Sequence, residues 1–92
     1  MIKSIQHKGI KLYWTKGDSS KLAADQVRKI KLILDILDAA AFIEDINFPG
    51  ANLHALKGET KGKWAITVKA NWRIIFEFTA GDVYLVDYVD YH

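Results

Sequence analysis

The chain has 92 residues, 13 Lys or Arg against 11 Asp or Glu, a formal net charge of +2 and no cysteine. A chain of that length supports one domain with one modest core, expected over residues 1–92, and without cysteine it has neither a disulfide framework nor thiolate chemistry. No apolar run approaches the ~18 residues of a membrane span, and the opening Met1-Ile2-Lys3-Ser4 begins no signal-peptide pattern; the expectation is a cytoplasmic protein with no membrane partner.

The charge is unevenly spread. Lys3, Lys8, Lys11, Lys16 and Lys21 face one acid, Asp18, in the first segment, and Lys57, Lys61, Lys63, Lys69 and Arg73 face Glu59 in a later one. Two basic segments in a nearly neutral protein predict a basic face and a polyanionic partner. The plain alternative is that these lysines only solubilise the surface.

In chain order, Ile2 and Ile5 predict a short first strand. Ile10, Tyr13 and Trp14 follow at helical spacing, and Gly17 is placed to end that helix in the left-handed conformation. Asp18, Ser19 and Ser20 are candidate N-caps for a second helix running from about residue 21 to residue 42. Its stripe is Val27, Ile30, Leu34, Leu37 and Ala41, widened by Ile33; Leu32 and Ile36 lie off the stripe and predict cover on a second side. Asn47-Phe48-Pro49-Gly50 reads as a loop, and His54 falls in the loop before the sheet.

The period then changes to two. Trp64, Ile66 and Val68 are expected on one face, and Ala65, Thr67 and Lys69 on the other. Trp72, Ile74, Phe76 and Phe78 alternate with Arg73, Ile75, Glu77 and Thr79, and a last strand runs from Val83 to the triplet Asp90-Tyr91-His92. Short connections at Ala70-Asn71 and Ala80-Gly81 predict an antiparallel meander. The fold class is α+β: a short N-terminal strand, two helices, then a meander sheet with the helices packed on one face.

Several groups are candidates for chemistry. His54 and His92 have ring nitrogens that titrate near neutrality; His7, at the start of the first helix, is expected on the surface or as a cap. His54, Asp90 and His92 make a conceivable metal set, but no HExxH or cysteine cluster supports one, so no metal and no cofactor is expected. Arg73, one of two arginines, should face outward from the sheet, where its planar fork suits phosphate or a cross-strand carboxylate, Glu77 or Asp87. Trp64, Trp72, Phe76 and Phe78 are expected in the core rather than as a base-stacking platform. Tyr91 has a polar tip at the strand end that can stack on a base or bond a phosphate.

The run Gly62-Lys63-Trp64-Ala65-Ile66-Thr67-Val68-Lys69-Ala70-Asn71-Trp72-Arg73 and the ending Asp87-Tyr88-Val89-Asp90-Tyr91-His92 resemble the HigB branch of the RelE/ParE toxin superfamily, as do Met1-Ile2-Lys3-Ser4 and His7-Lys8-Gly9. The resemblance implies a RelE-like fold and an endoribonuclease that cuts mRNA in the decoding site of the ribosome. It implies an acid–base cluster of His54, Asp90, Tyr91 and His92, with Arg73 and Lys57 at the scissile phosphate and Lys69 and Lys8 as further substrate-binding residues. The substrate's own 2′-OH would be the nucleophile, leaving the protein to supply proton transfer and cations. The implied partners are a helix-turn-helix antitoxin of the HigA type and, only through it, DNA. Two alternatives remain open at this point: a ParE-like inhibitor of DNA gyrase, and a non-catalytic RNA-binding regulator of the same fold.

Overall fold

The computed structural model describes residues 1–58 and 62–91. Helix α1 spans Lys8–Lys16. Its start is set locally: His7 is the N-cap, and its Nδ1 accepts from the Ile10 amide at 3.1 Å. Its end is Gly17 at φ +73, whose N–H donates to Tyr13 O at 2.8 Å. Gly9 is buried in the first turn, and a Cβ there would lie 2.9 Å from Lys21 Cβ, so only glycine lets these segments touch.

Helix α2 spans Val27–Ala39 and is shorter than its apolar stripe predicts. A 3₁₀ turn at Ala24–Gln26 precedes it. Asp18 does not cap it: its Oδ1 accepts from the Ser20 amide at 2.9 Å and closes a local turn instead. At the far end, Asp45 Oδ2 accepts from the amides of Ala41 and Phe42, both at 3.0 Å. Those amides are thereby drawn into a second 3₁₀ turn, Ile43–Ile46. The buried face is the expected one, with Ile30, Ile33, Leu34 and Leu37 fully enclosed. The second-side cover is incomplete, since Leu32 remains 48% exposed.

The sheet has four strands in the order β1 (His54–Ala55), β2 (Lys63–Lys69), β3 (Trp72–Thr79) and β4 (Asp82–Asp90). All neighbours are antiparallel. The N-terminal segment does not form the predicted strand. Ile2 and Ile5 make single parallel bridges to Val83 and Val86. Between those bridges β4 bulges at Leu85, φ +55, and the Leu85 amide donates to Ser4 Oγ at 2.8 Å rather than to a main-chain carbonyl. A ladder cannot continue across that break.

The helices cover the face that carries Ile66, Val68, Ile74, Phe76, Val83, Val86 and Tyr88. Each fully buried large side chain there contributes about 1.5–3 kcal/mol. The other face carries a row across all four strands, His54, Ala65, Ile75 and Asp87, and beside it a second row, Thr67, Arg73 and Val89.

Candidate active site

His54 lies on an edge strand rather than in the expected loop. Pairing with Ala65 holds its side chain on the face that the helices leave open. The ring Nδ1 stands 2.9 Å from Asn52 O. A carbonyl only accepts, so Nδ1 carries the proton and Nε2 of the neutral ring keeps its lone pair. His54 is exposed, so that lone pair can meet a substrate hydroxyl.

Arg73 is on the same face, as its alternation with Trp72 and Ile74 predicts. Strand spacing of about 4.8 Å and a rise of about 3.3 Å per residue put the Cα atoms of His54 and Arg73 about 12 Å apart. An imidazole and a guanidinium reaching toward each other from that distance leave room for one phosphodiester. Among the described residues no cross-strand carboxylate forms an ion pair with Arg73. Instead its Nη1 donates to Ala70 O at 2.5 Å and to Trp72 O at 3.1 Å. Both bonds run through Nη1, so Nε and Nη2 stand outside them.

The β2–β3 turn also anchors the chain terminus. Its Ala70 sits at φ +50, and Asn71 O accepts from the Tyr91 amide at 2.8 Å. Tyr91 is 41% exposed. Asp90, the last residue of β4, pairs with Trp72 across the ladder. Arg73, Tyr91 and Asp90 are therefore gathered at one end of the sheet. Lys57 is exposed two residues beyond β1. His92 and Lys61 lie outside the described residues.

Two lysines stand apart from that cluster. Alternation puts Lys69 beside Thr67 on the open face, but β2 bulges between them and Lys69 pairs with Trp72. The extra residue turns its side chain toward the helical layer, where Nζ forms an ion pair with Asp25 of the first 3₁₀ turn. Asp25 is held below the usual carboxylate range, chiefly by that hydrogen bond. A phosphate would compete with Asp25 for Lys69. Lys8 is exposed on the first turn of α1, also on the helical side.

Beneath the cluster is a support that the sequence did not reveal. The Trp72 ring stacks on Tyr88 at 4.6 Å, and His7 meets Tyr88 edge-on at 5.5 Å. The Tyr88 hydroxyl donates to Gln26 Oε1 at 2.5 Å in the interior. Burial, and then the carboxylates of Asp25 and Asp90, push the Tyr88 phenol above its usual range and keep it a donor. These contacts join residues from four separate elements, so no local pattern signals them. Only the cap at His7 was visible beforehand.

Comparison with known proteins gives the chain's family and fold. Residues 3–92 match the family model described as the RelE-like toxin of type II toxin–antitoxin system HigB. The chain is 48% identical to Endoribonuclease HigB of Proteus vulgaris, over 100% of both chains. Among solved structures it is similar to E. coli YafQ. A histidine-to-glutamine mutant of YafQ superposes with a TM-score of 0.67 at 19% identity, covering 98% of this chain and 91% of that one. The protein from strain BL21(DE3) gives 0.68 at 17% identity with the same coverage, 98% and 91%. At those identities YafQ establishes the RelE-like α+β fold. The match over residues 3–92 and the full-length identity together establish that the chain belongs to the HigB-like toxins, the RelE-like toxins of type II toxin–antitoxin systems, and so has an antitoxin as partner.

Proposed function

We propose that this toxin, acting as one domain over residues 1–92, is a metal-independent endoribonuclease that cleaves mRNA in the decoding site of the ribosome and so stops translation. The observation that carries the reading is the His54 ring. Its proton is held on Nδ1 by Asn52 O, and its Nε2 lone pair shares an open sheet face with Arg73.

In this mechanism His54 Nε2 takes the proton from the substrate 2′-OH, and the 2′ oxygen attacks the adjacent phosphorus. Arg73 and Lys57 stabilise the negative charge that builds on the phosphorane oxygens. His92 gives a proton to the departing 5′ oxygen, and Asp90 orients that end of the chain. Tyr91 positions a base or the phosphate. The products are a 2′,3′-cyclic phosphate and a free 5′-OH, and no metal or cofactor enters the balance. Lys69 and Lys8 hold flanking RNA. The expected partner is a HigA-like helix-turn-helix antitoxin, through which the pair meets its operator DNA. A toxin of translation works in the cytoplasm, and no helix among the described residues is long and apolar enough to cross a membrane.

The test is single-turnover cleavage of mRNA on programmed ribosomes by His54→Ala. The expected result is a rate loss of at least about 10²-fold, in line with removal of a general base. A message with 2′-deoxyribose at the scissile position should resist the wild-type enzyme. Wild-type cleavage by His54→Ala, or cleavage of the deoxy message, would overturn the mechanism.

A further inference from the structure

On the helical side, away from the candidate active site, the surface holds a cleft of about 360 Å³ between the N-terminal segment and α1. Ile2, Ile5 and Trp14 supply its apolar lining, and Lys3, Lys11 and Thr15 its polar lining. Lys11, Trp14 and Thr15 are spaced i, i+3 and i+4, so they form one face of α1. A second hollow of about 230 Å³, lined by Tyr13, Trp14, Gly17 and Lys31, adjoins it through the shared Trp14.

The position of this groove separates it from catalysis. Ile2 and Ile5 bridge Val83 and Val86, toward the end of β4 that lies away from Asp90. Trp14 is seven residues beyond His7, about 10 Å up the helix from the ring that touches Tyr88.

We propose that this groove docks the antitoxin, through a segment carrying apolar side chains for the Ile2–Ile5–Trp14 floor and carboxylates for Lys3 and Lys11. Charge selects the partner's chemistry. Lys3 and Lys11 are exposed at the rim, while Lys31 in the second hollow is already paired with Asp35 at 2.9 Å. The floor argues for protein over RNA. Trp14 is half-buried and packed against the core, so its ring is not open on both faces for a base, and no arginine lines either hollow. Docked here, the antitoxin holds the toxin without filling the space between His54 and Arg73. The inference rests on membership of a toxin–antitoxin family and not on the catalytic assignment, so His54→Ala should bind antitoxin like the wild type.

The experiment measures binding to the purified antitoxin made from the gene paired with that of this toxin, alongside ribosome binding and mRNA cleavage. Two variants of exposed residues are used: Lys3→Glu with Lys11→Glu, and Thr15→Trp to fill the cleft. Each is expected to weaken antitoxin binding by at least about tenfold, as loss of an interfacial charge pair or of fit does, with ribosome binding and cleavage unchanged. Antitoxin binding unchanged in both variants would overturn the proposal. So would weakened ribosome binding by the lysine variant, which would make the groove an RNA surface.

Discussion

Tyr88 in the last strand and Gln26 at the foot of α2 are joined by a buried hydrogen bond of 2.5 Å across 62 residues of sequence. Tyr88 also carries the Trp72 ring, and Trp72 pairs with Asp90. The helical layer is thus tied to the end of the sheet where the candidate site lies. Gln26→Ala should cost about 1–3 kcal/mol, because it leaves a buried hydroxyl without an acceptor. For a domain of this size each kcal/mol lowers Tm by roughly 4–8 °C. Tyr88→Phe should cost a similar amount. The double variant Gln26→Leu with Tyr88→Phe should recover part of the loss, since it removes both polar groups. Strictly additive losses in thermal denaturation would show that the two residues do not act as a pair.

Arg73→Lys tests the guanidinium as a fork and not merely as a charge. Lysine keeps the cation but cannot bond Ala70 O and a phosphate through one planar group. Single-turnover cleavage should fall by about 10²-fold, comparable to removing one donor to a developing oxyanion. The melting temperature should shift by only a few degrees. Wild-type cleavage by the lysine variant would mean that the charge alone suffices.

The Lys69–Asp25 ion pair predicts an effect on RNA affinity. Asp25→Asn frees Lys69, and binding of a single-stranded message fragment should tighten. Its salt dependence should steepen, with the slope of log affinity against log salt changing by about 0.7 for one added phosphate contact. Adding Lys69→Gln should return the slope to its original value. If Asp25→Asn tightens binding without changing the slope, only the general field has changed and Lys69 touches no phosphate.

Acid should destabilise the fold through its capping carboxylates. The amides of Phe42 and Ala41 hold the Asp45 carboxyl below its ordinary value of 3.8. The folded pKa is the lower one, so the stabilisation is present above about pH 3.8 and is lost as pH falls through the folded value. Asp45→Asn should therefore melt below the wild type at pH 7, and the gap should close well below pH 3.8. A gap of constant size from neutral to strongly acidic pH would assign its origin to something other than the carboxylate charge.

What the sequence makes legible here is what is local. The α1 cap at His7 and stop at Gly17 involve neighbours within a turn, and the period of two from Trp64 to Phe78 marks two strands without help from the rest of the chain. The face of Arg73 follows from the same alternation. What escaped depends on distant partners. Strand β1 has two residues and exists only through its pairing with β2. The end of α2 depends on Asp45, and the face of Lys69 on a bulge that the alternation does not mark. The nonlocal contact of Tyr88 with Gln26 has no signature in either segment. His54 is a candidate from its ring chemistry and takes its role from the resemblance, while its tautomer required the position of Asn52 O.

Leu85 adds one residue to β4 between the pairs Glu77–Tyr84 and Ile75–Asp87. A strand read without that extra step would keep strict alternation and send every later side chain to the opposite face. Tyr88 would leave the helices, and Asp87 would be driven into the apolar layer. The exposed leucine thus acts as a phase shifter for the rest of the strand, from Val86 to Asp90. Deleting it should remove the bulge and leave Val86, Asp87 and Tyr88 on their present faces in plain alternation, while Leu85→Gly should keep the bulge and relieve the left-handed backbone.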